Sequence, residues 1–183
     1  MKRPSPHLFL LFPLAVLVGS CGDPVHDGEV TALGSEAPGV PQGEFHRAGQ
    51  PCAVCHSPEG PASTVFSVAG TVFSGQNNTV GVDVASVVFV DDNGASSPLI
   101  TTNCVGNFFV TPEEWNPSFP IRVALVKGAA TAQMNGHISR EASCANCHKD
   151  PPGLDSPGHV YLNTPADPND PQCPVSPVAG GGP

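Results

Sequence analysis

The sequence predicts a mainly β fold, a central antiparallel β-sandwich flanked by loop-rich segments with short helical turns. Three observations predict it. Between residues 65 and 126, five short runs rich in Val, Ile, Phe and Thr alternate with turn-forming clusters. Glycine (20) and proline (22) make up nearly a quarter of the 183 residues and gather mostly outside those runs, which leaves no stretch long enough for a substantial helix. The flanks of the runs are polar and carry paired cysteines and histidines instead of an apolar pattern.

The elements follow in chain order. Lys2 and Arg3 ahead of an apolar run at 8–18 predict an export signal over residues 1–20, too short and too broken by Pro13 to span a bilayer. Val18-Gly19-Ser20-Cys21 resembles a bacterial lipoprotein box, which implies lipidation of Cys21. Gly22 in place of Asp favours the outer membrane by the same resemblance; a free Cys21 after ordinary cleavage is the alternative. Residues 21–43, with Pro24, Pro38, Pro41 and several glycines, read as a linker or tether. Residues 44–63 hold the first cysteine motif.

The β module is expected over 64–134, with strands at 65–73, 84–90, 99–102, 107–110 and 121–126. Gly75-Gln76-Asn77-Asn78, Asp91-Asp92-Asn93-Gly94, residues 103–106 and Asn116-Pro117 supply the turns. The Asp91-Asp92-Asn93 cluster also suits calcium, but a turn asks for the same residues. Thr111-Pro112-Glu113-Glu114 has the chemistry of one capped helical turn, Pro at its first position and Glu114 reaching back to the cap amide. A second short turn is expected at 139–143. Residues 135–165 hold the second cysteine motif, and 166–183 read as a disordered tail.

Charge narrows the partners. Without the signal, five basic side chains face sixteen acidic ones, so nucleic acid is excluded as a natural partner. An acidic surface suits either solubility or docking to a basic protein.

The chemistry sits in two copies of one pentapeptide, Cys52-Ala53-Val54-Cys55-His56 and Cys144-Ala145-Asn146-Cys147-His148. Both read C-x-x-C-H, and each looks like a c-type haem attachment site. Two thiols at this spacing reach the two vinyl groups of one porphyrin, while the adjacent imidazole reaches the iron. The motifs and their flanks resemble small exported cytochromes c, which implies covalent haem on Cys52, Cys55, Cys144 and Cys147, with His56 and His148 on iron. Two copies imply two haem c groups. Paired C-x-x-C can also hold zinc, form disulfides or do dithiol chemistry, so these remain the competing readings.

The ligand opposite each motif histidine decides what a haem does. Met134 is the one methionine left after export, so at most one site can be His/Met. His46 stands six residues before Cys52 and His137 seven before Cys144, a half-repeat that makes them the first candidates. His159, eleven residues after His148, rivals them, and His26 falls in the tether. Cys104 and Cys173 are left over; their pairing stays open.

The middle of the chain carries a second resemblance. Gly70-Thr71-Val72, Ala85-Ser86-Val87 leading to Asp91 and Gly94, and Thr101 onward to Gly106-Asn107-Phe108 are similar to the transthyretin-like, carboxypeptidase regulatory-like β-sandwich domains over roughly residues 64–126. That resemblance implies a structural or binding module without catalytic residues. Cys104 before Gly106 departs from its pattern.

The expectation is therefore a dihaem c-type cytochrome lipoprotein: an electron carrier and not an enzyme, anchored to the bacterial envelope by lipid, facing the periplasm or exterior and serving redox partner proteins there. A non-redox surface binding module with zinc at its C-x-x-C pairs, and a small haem peroxidase or sensor, are the alternatives.

Overall fold

The computed structural model describes residues 23–164 and Cys173. The predicted signal, Cys21 and the rest of the predicted tail lie outside the described residues. The fold is mainly β, with two antiparallel sheets. Strand β1 (Val68–Thr71) pairs with β4 (Asn107–Val110) in the smaller one. The larger runs β3 (Ile100–Thr101), β2 (Ser86–Val90), β5 (Arg122–Lys127) and β6 (Ala130–Gln133) in that spatial order.

The sheets face each other because alternate residues of each are apolar and point inward. In β2 Val87 and Phe89 are buried, and in β4 Phe108 and Val110 are buried while Phe109 between them is exposed. Phe89 of the larger sheet meets Phe108 of the smaller with ring centroids 6.1 Å apart, and Trp115 packs on Phe89 at 5.9 Å. Val68, Val72, Ile121, Leu125 and Leu162 complete this core. Each of the five expected strand runs overlaps one observed strand, β5 ending one residue beyond its run at Lys127; β6 was not anticipated.

Asp91 forms the turn its neighbours suggested. Its carboxylate accepts the amides of Asn93 (3.0 Å), Ala95 (2.8 Å) and Ser118 (3.1 Å), and Gly94 takes a left-handed φ of +79°. The capped turn at Thr111 also forms, with the Thr111 amide donating to Glu114 at 3.0 Å. Cys104 and Cys173 are joined in a disulfide, which packs beside a second small cluster around Val40 and Val105.

Three expectations need correction. The stretch read as a tether contains a helix, α1 (Pro24–Ala32), because the Asp23 carboxylate caps the amides of Val25 and His26 and Pro24 fits the first turn. The helical turn expected at 139–143 lies instead on the second motif, as α2 (Cys144–Cys147), while Ile138 and Ser143 make β-bridges to Ile121 and Ala69. The flanks are also not separate from the sandwich. The Ala69 amide donates to Ala142 O at 2.8 Å, and Phe73 exchanges backbone bonds with Val160 and Leu162 at 2.9 Å each. An unpaired strand edge is a row of unsatisfied amides, and the second flank satisfies it. As a result β1 is buried along its whole length.

Candidate functional site

Each motif closes one tight turn. Cys52–Val54 form a single 3₁₀ turn after Pro51, and Cys144–Cys147 form α2. In both, the histidine amide bonds the carbonyl of the first cysteine at 2.9 Å: His56 to Cys52 and His148 to Cys144. Residues three and four apart share one side of a helical turn, so each turn presents both thiols and the imidazole together.

Both imidazoles are then pinned in the same way. His56 Nδ1 lies 2.8 Å from Thr64 O, and His148 Nδ1 lies 2.9 Å from Gly158 O. A carbonyl only accepts, so Nδ1 is the donor in each ring, and in the neutral imidazole Nε2 then keeps its lone pair. This is the state in which a histidine binds a metal, its outer nitrogen fixed by a backbone acceptor. Burial holds His56 below the ordinary histidine pKa; the Thr64 carbonyl works against that shift and His46 adds to it.

Each motif opens onto its own cavity. The first, of about 630 Å³, is lined by Cys52, Cys55, His56, His46 and Phe66. The second, of about 690 Å³, is lined by Cys144, Cys147, His148, His137, His159 and Met134. Both sizes fall inside the range of about 300–1,000 Å³ usual for cofactor sites. Phe108, buried in the sandwich, lines both.

The candidate ligands divide accordingly. His46 faces His56 across the first cavity, ring centroids 6.0 Å apart and nearly perpendicular at 78°. His56 also stacks on Phe66 at 4.0 Å, and Phe66 on Phe109 at 4.4 Å. In the second cavity His159 is buried, stacks on Phe73 at 4.2 Å and has its Nδ1 2.9 Å from Asn78 O, whereas His137 is exposed. His26 lies on α1 and is not among the residues lining either cavity.

The motifs touch one another. The Ala53 amide donates to Ser143 Oγ at 2.6 Å, and an added Cβ on Gly70 of β1 would stand 2.8 Å from Cys144 Sγ. Only glycine lets Cys144 settle on the strand. Burial pushes the Cys52 thiol up to about 11 and the Cys144 thiol up to about 12. Both are therefore protonated at neutral pH, which disfavours thiolate chemistry at them in the folded chain.

No family model matches the chain, and no similar curated protein or solved structure was found. The sites must be read from their own chemistry. Among the described residues, no three His, Cys, Asp or Glu side chains converge as a site for a bare metal ion. What each cavity offers instead is two unpaired thiols, one imidazole with a free Nε2, and a wide apolar wall. That donor set fits a metal macrocycle. His46 and His56, with ring centroids 6.0 Å apart on one cavity, would be the imidazoles available to such a group.

Sequence reasoning named the thiols and imidazoles but missed the residues that hold them. Thr64 and Gly158 act through backbone carbonyls, which leave no residue signature. Ser143, Gly70 and Phe108 act through tertiary contacts, and Glu36 and Arg47, which flank His46 in space, lay in or beside the supposed tether.

Proposed function

We propose that this chain is a dihaem c-type cytochrome, an electron carrier of the cell envelope and not an enzyme. The observation that supports it most is the repeated unit: a C-x-x-C-H turn, its histidine Nδ1 on a backbone carbonyl, its Nε2 free beside a cavity. Cys52 and Cys55 hold one haem and Cys144 and Cys147 the other. Bound haem supplies reversible one-electron transfer at its iron. The chain's part is to orient, enclose and separate the two groups.

His56 and His148 are the motif ligands. His46 is the opposite ligand of the first site, on the strength of its ring spacing to His56. For the second site, His159 fits better than His137, because its ring is buried and pinned through Nδ1 while His137 is exposed. With two histidines available to each site, bound haem would carry electrons instead of binding peroxide or a sensed gas. The Ser143–Ala53 bond and Phe108 between the cavities keep the two groups adjacent, as electron exchange within one small chain requires.

Lipid on Cys21 anchors the carrier to the envelope, outer membrane favoured, and its acidic surface meets basic redox partner proteins there. An intact mass of protein matured in an export-competent host tests the reading. The expected mass includes two porphyrins and the acyl chains; a mass of bare polypeptide, or of polypeptide with zinc, overturns it.

A further inference from the structure

The geometry points to Glu36 as a positioning residue that sets His46 and makes the two haem sites electrostatically unequal. The inference rests on the haem reading above and concerns the first site alone. Glu36 Oε1 lies 3.3 Å from His46 Nδ1, with the two side chains only 22% and 26% exposed. Arg47 Nε holds the same oxygen at 3.0 Å. The guanidinium is itself fixed by Leu33 O at 3.1 Å, Gly34 O at 2.7 Å and Gln50 Oε1 at 2.8 Å. Arg47 adopts a left-handed backbone, φ +51°, to make this network, a conformation that non-glycine residues rarely take.

Two atoms of this cluster are orphaned among the described residues. His46 Nδ1 and Glu36 Oε2 are both buried, and neither has a hydrogen-bond partner. Buried polar atoms without partners are costly, so a small turn of the ring that aligns Nδ1–H on the carboxylate is favourable. It leaves Nε2 as the free donor atom of a ring that lines the same cavity as His56. A metal-bound histidine whose outer nitrogen donates to a carboxylate is a stronger electron donor.

Among the described residues the second site has no carboxylate on a histidine: Glu141 lines that cavity, but its Oε1 accepts the Ser143 amide at 2.8 Å. His148 and His159 rest on the neutral carbonyls of Gly158 and Asn78. The carboxylate therefore favours the oxidised iron of the first site relative to the second, with Arg47 moderating the effect. Electrons arriving on the chain settle on the second haem first.

Potentiometric titration of Glu36→Gln, followed optically, tests this, with haem counted as pyridine haemochrome in the same preparation. The wild type should titrate in two waves. The variant should keep both haems and either move the lower wave upward alone or lose the low-spin signature of one haem alone. Two unmoved waves, or two waves moved equally, overturn the inference. Should the variant lose a haem altogether, Glu36→Asp, which retains the charge, must recover both haems and the wild-type separation of the waves; failure to recover them also overturns it. A wild type without haem would instead sink the cofactor reading.

Discussion

The two motif segments share a local code and differ in what encloses them. The first is enclosed mainly by the chain between α1 and residue 66, through Arg47 on the end of α1 and the Glu36–His46 contact, and rests on β4 through the His56–Phe66–Phe109 stack and Asn107. The second is built into the sandwich, with Ser143 bridged to Ala69, Cys144 seated on Gly70 and residues 160–162 bonded to Phe73. Repeating a pentapeptide repeats the turn and the histidine pin. It does not repeat the surroundings, and the surroundings are what set burial, charge and rigidity.

Substitutions separate the two by what each leans on. Phe108→Ala should hurt most and hurt both, because the ring is in the core and walls both cavities; a loss of about 3–5 kcal/mol is expected in denaturant unfolding. Gly70→Ala should break the symmetry. Its Cβ meets Cys144 Cβ and the Phe108 ring at 2.9 Å each, an overpacking cost of about 1–3 kcal/mol. The second haem's spectrum should change most, because Cys144 is displaced directly, and the first should change less, through Phe108 alone.

Ser143→Ala removes the acceptor of the Ala53 amide and leaves a donor unpaired at the junction of the motifs, at about 1–3 kcal/mol. Electron exchange between the haems, read from the magnetic interaction of their irons, should weaken without loss of either. In haem-free protein at pH 8, iodoacetamide should modify exposed Cys147 well before Cys52 or Cys144, whose thiols stay protonated; peptide mass mapping reads the order.

The smallest effect belongs to Asp91, remote from both sites. The Ser118 amide chiefly lowers its carboxyl pKa; some desolvation opposes this, and the amides of Ala95, Asn93 and Gly94 add to the lowering. A carboxyl depressed by folding stabilises fully above its unfolded value and stops doing so as pH falls through its folded one. Asp91→Asn should thus lower the melting temperature slightly at pH 7 and flatten its fall between about pH 5 and 2, leaving both haem spectra alone.

Much of this was legible in the residues. Alternating Val, Ile and Phe located β1 to β5, and Asp91 and Thr111 announced their turns by side chains that bond locally. β6 escaped because its inward residues are Ala130 and Ala132, too small and too weak in strand propensity to stand out. Helix α1 escaped because Gly28 and the surrounding prolines suggested a tether, although Asp23-Pro24 is a sound helix start. The thiols and imidazoles were legible as types at a fixed spacing. Their pins were not, since Thr64 and Gly158 contribute only a carbonyl. Glu36 became visible only once Arg47 had folded the segment back toward His46.

The central claim is that each pentapeptide carries one covalent haem. Pyridine haemochrome absorbance per mole of purified protein tests it most directly, in the wild type and in the paired variants Cys52→Ala/Cys55→Ala and Cys144→Ala/Cys147→Ala. Two haems in the wild type and one in each paired variant are predicted; wild-type protein with no haemochrome signal would contradict the account.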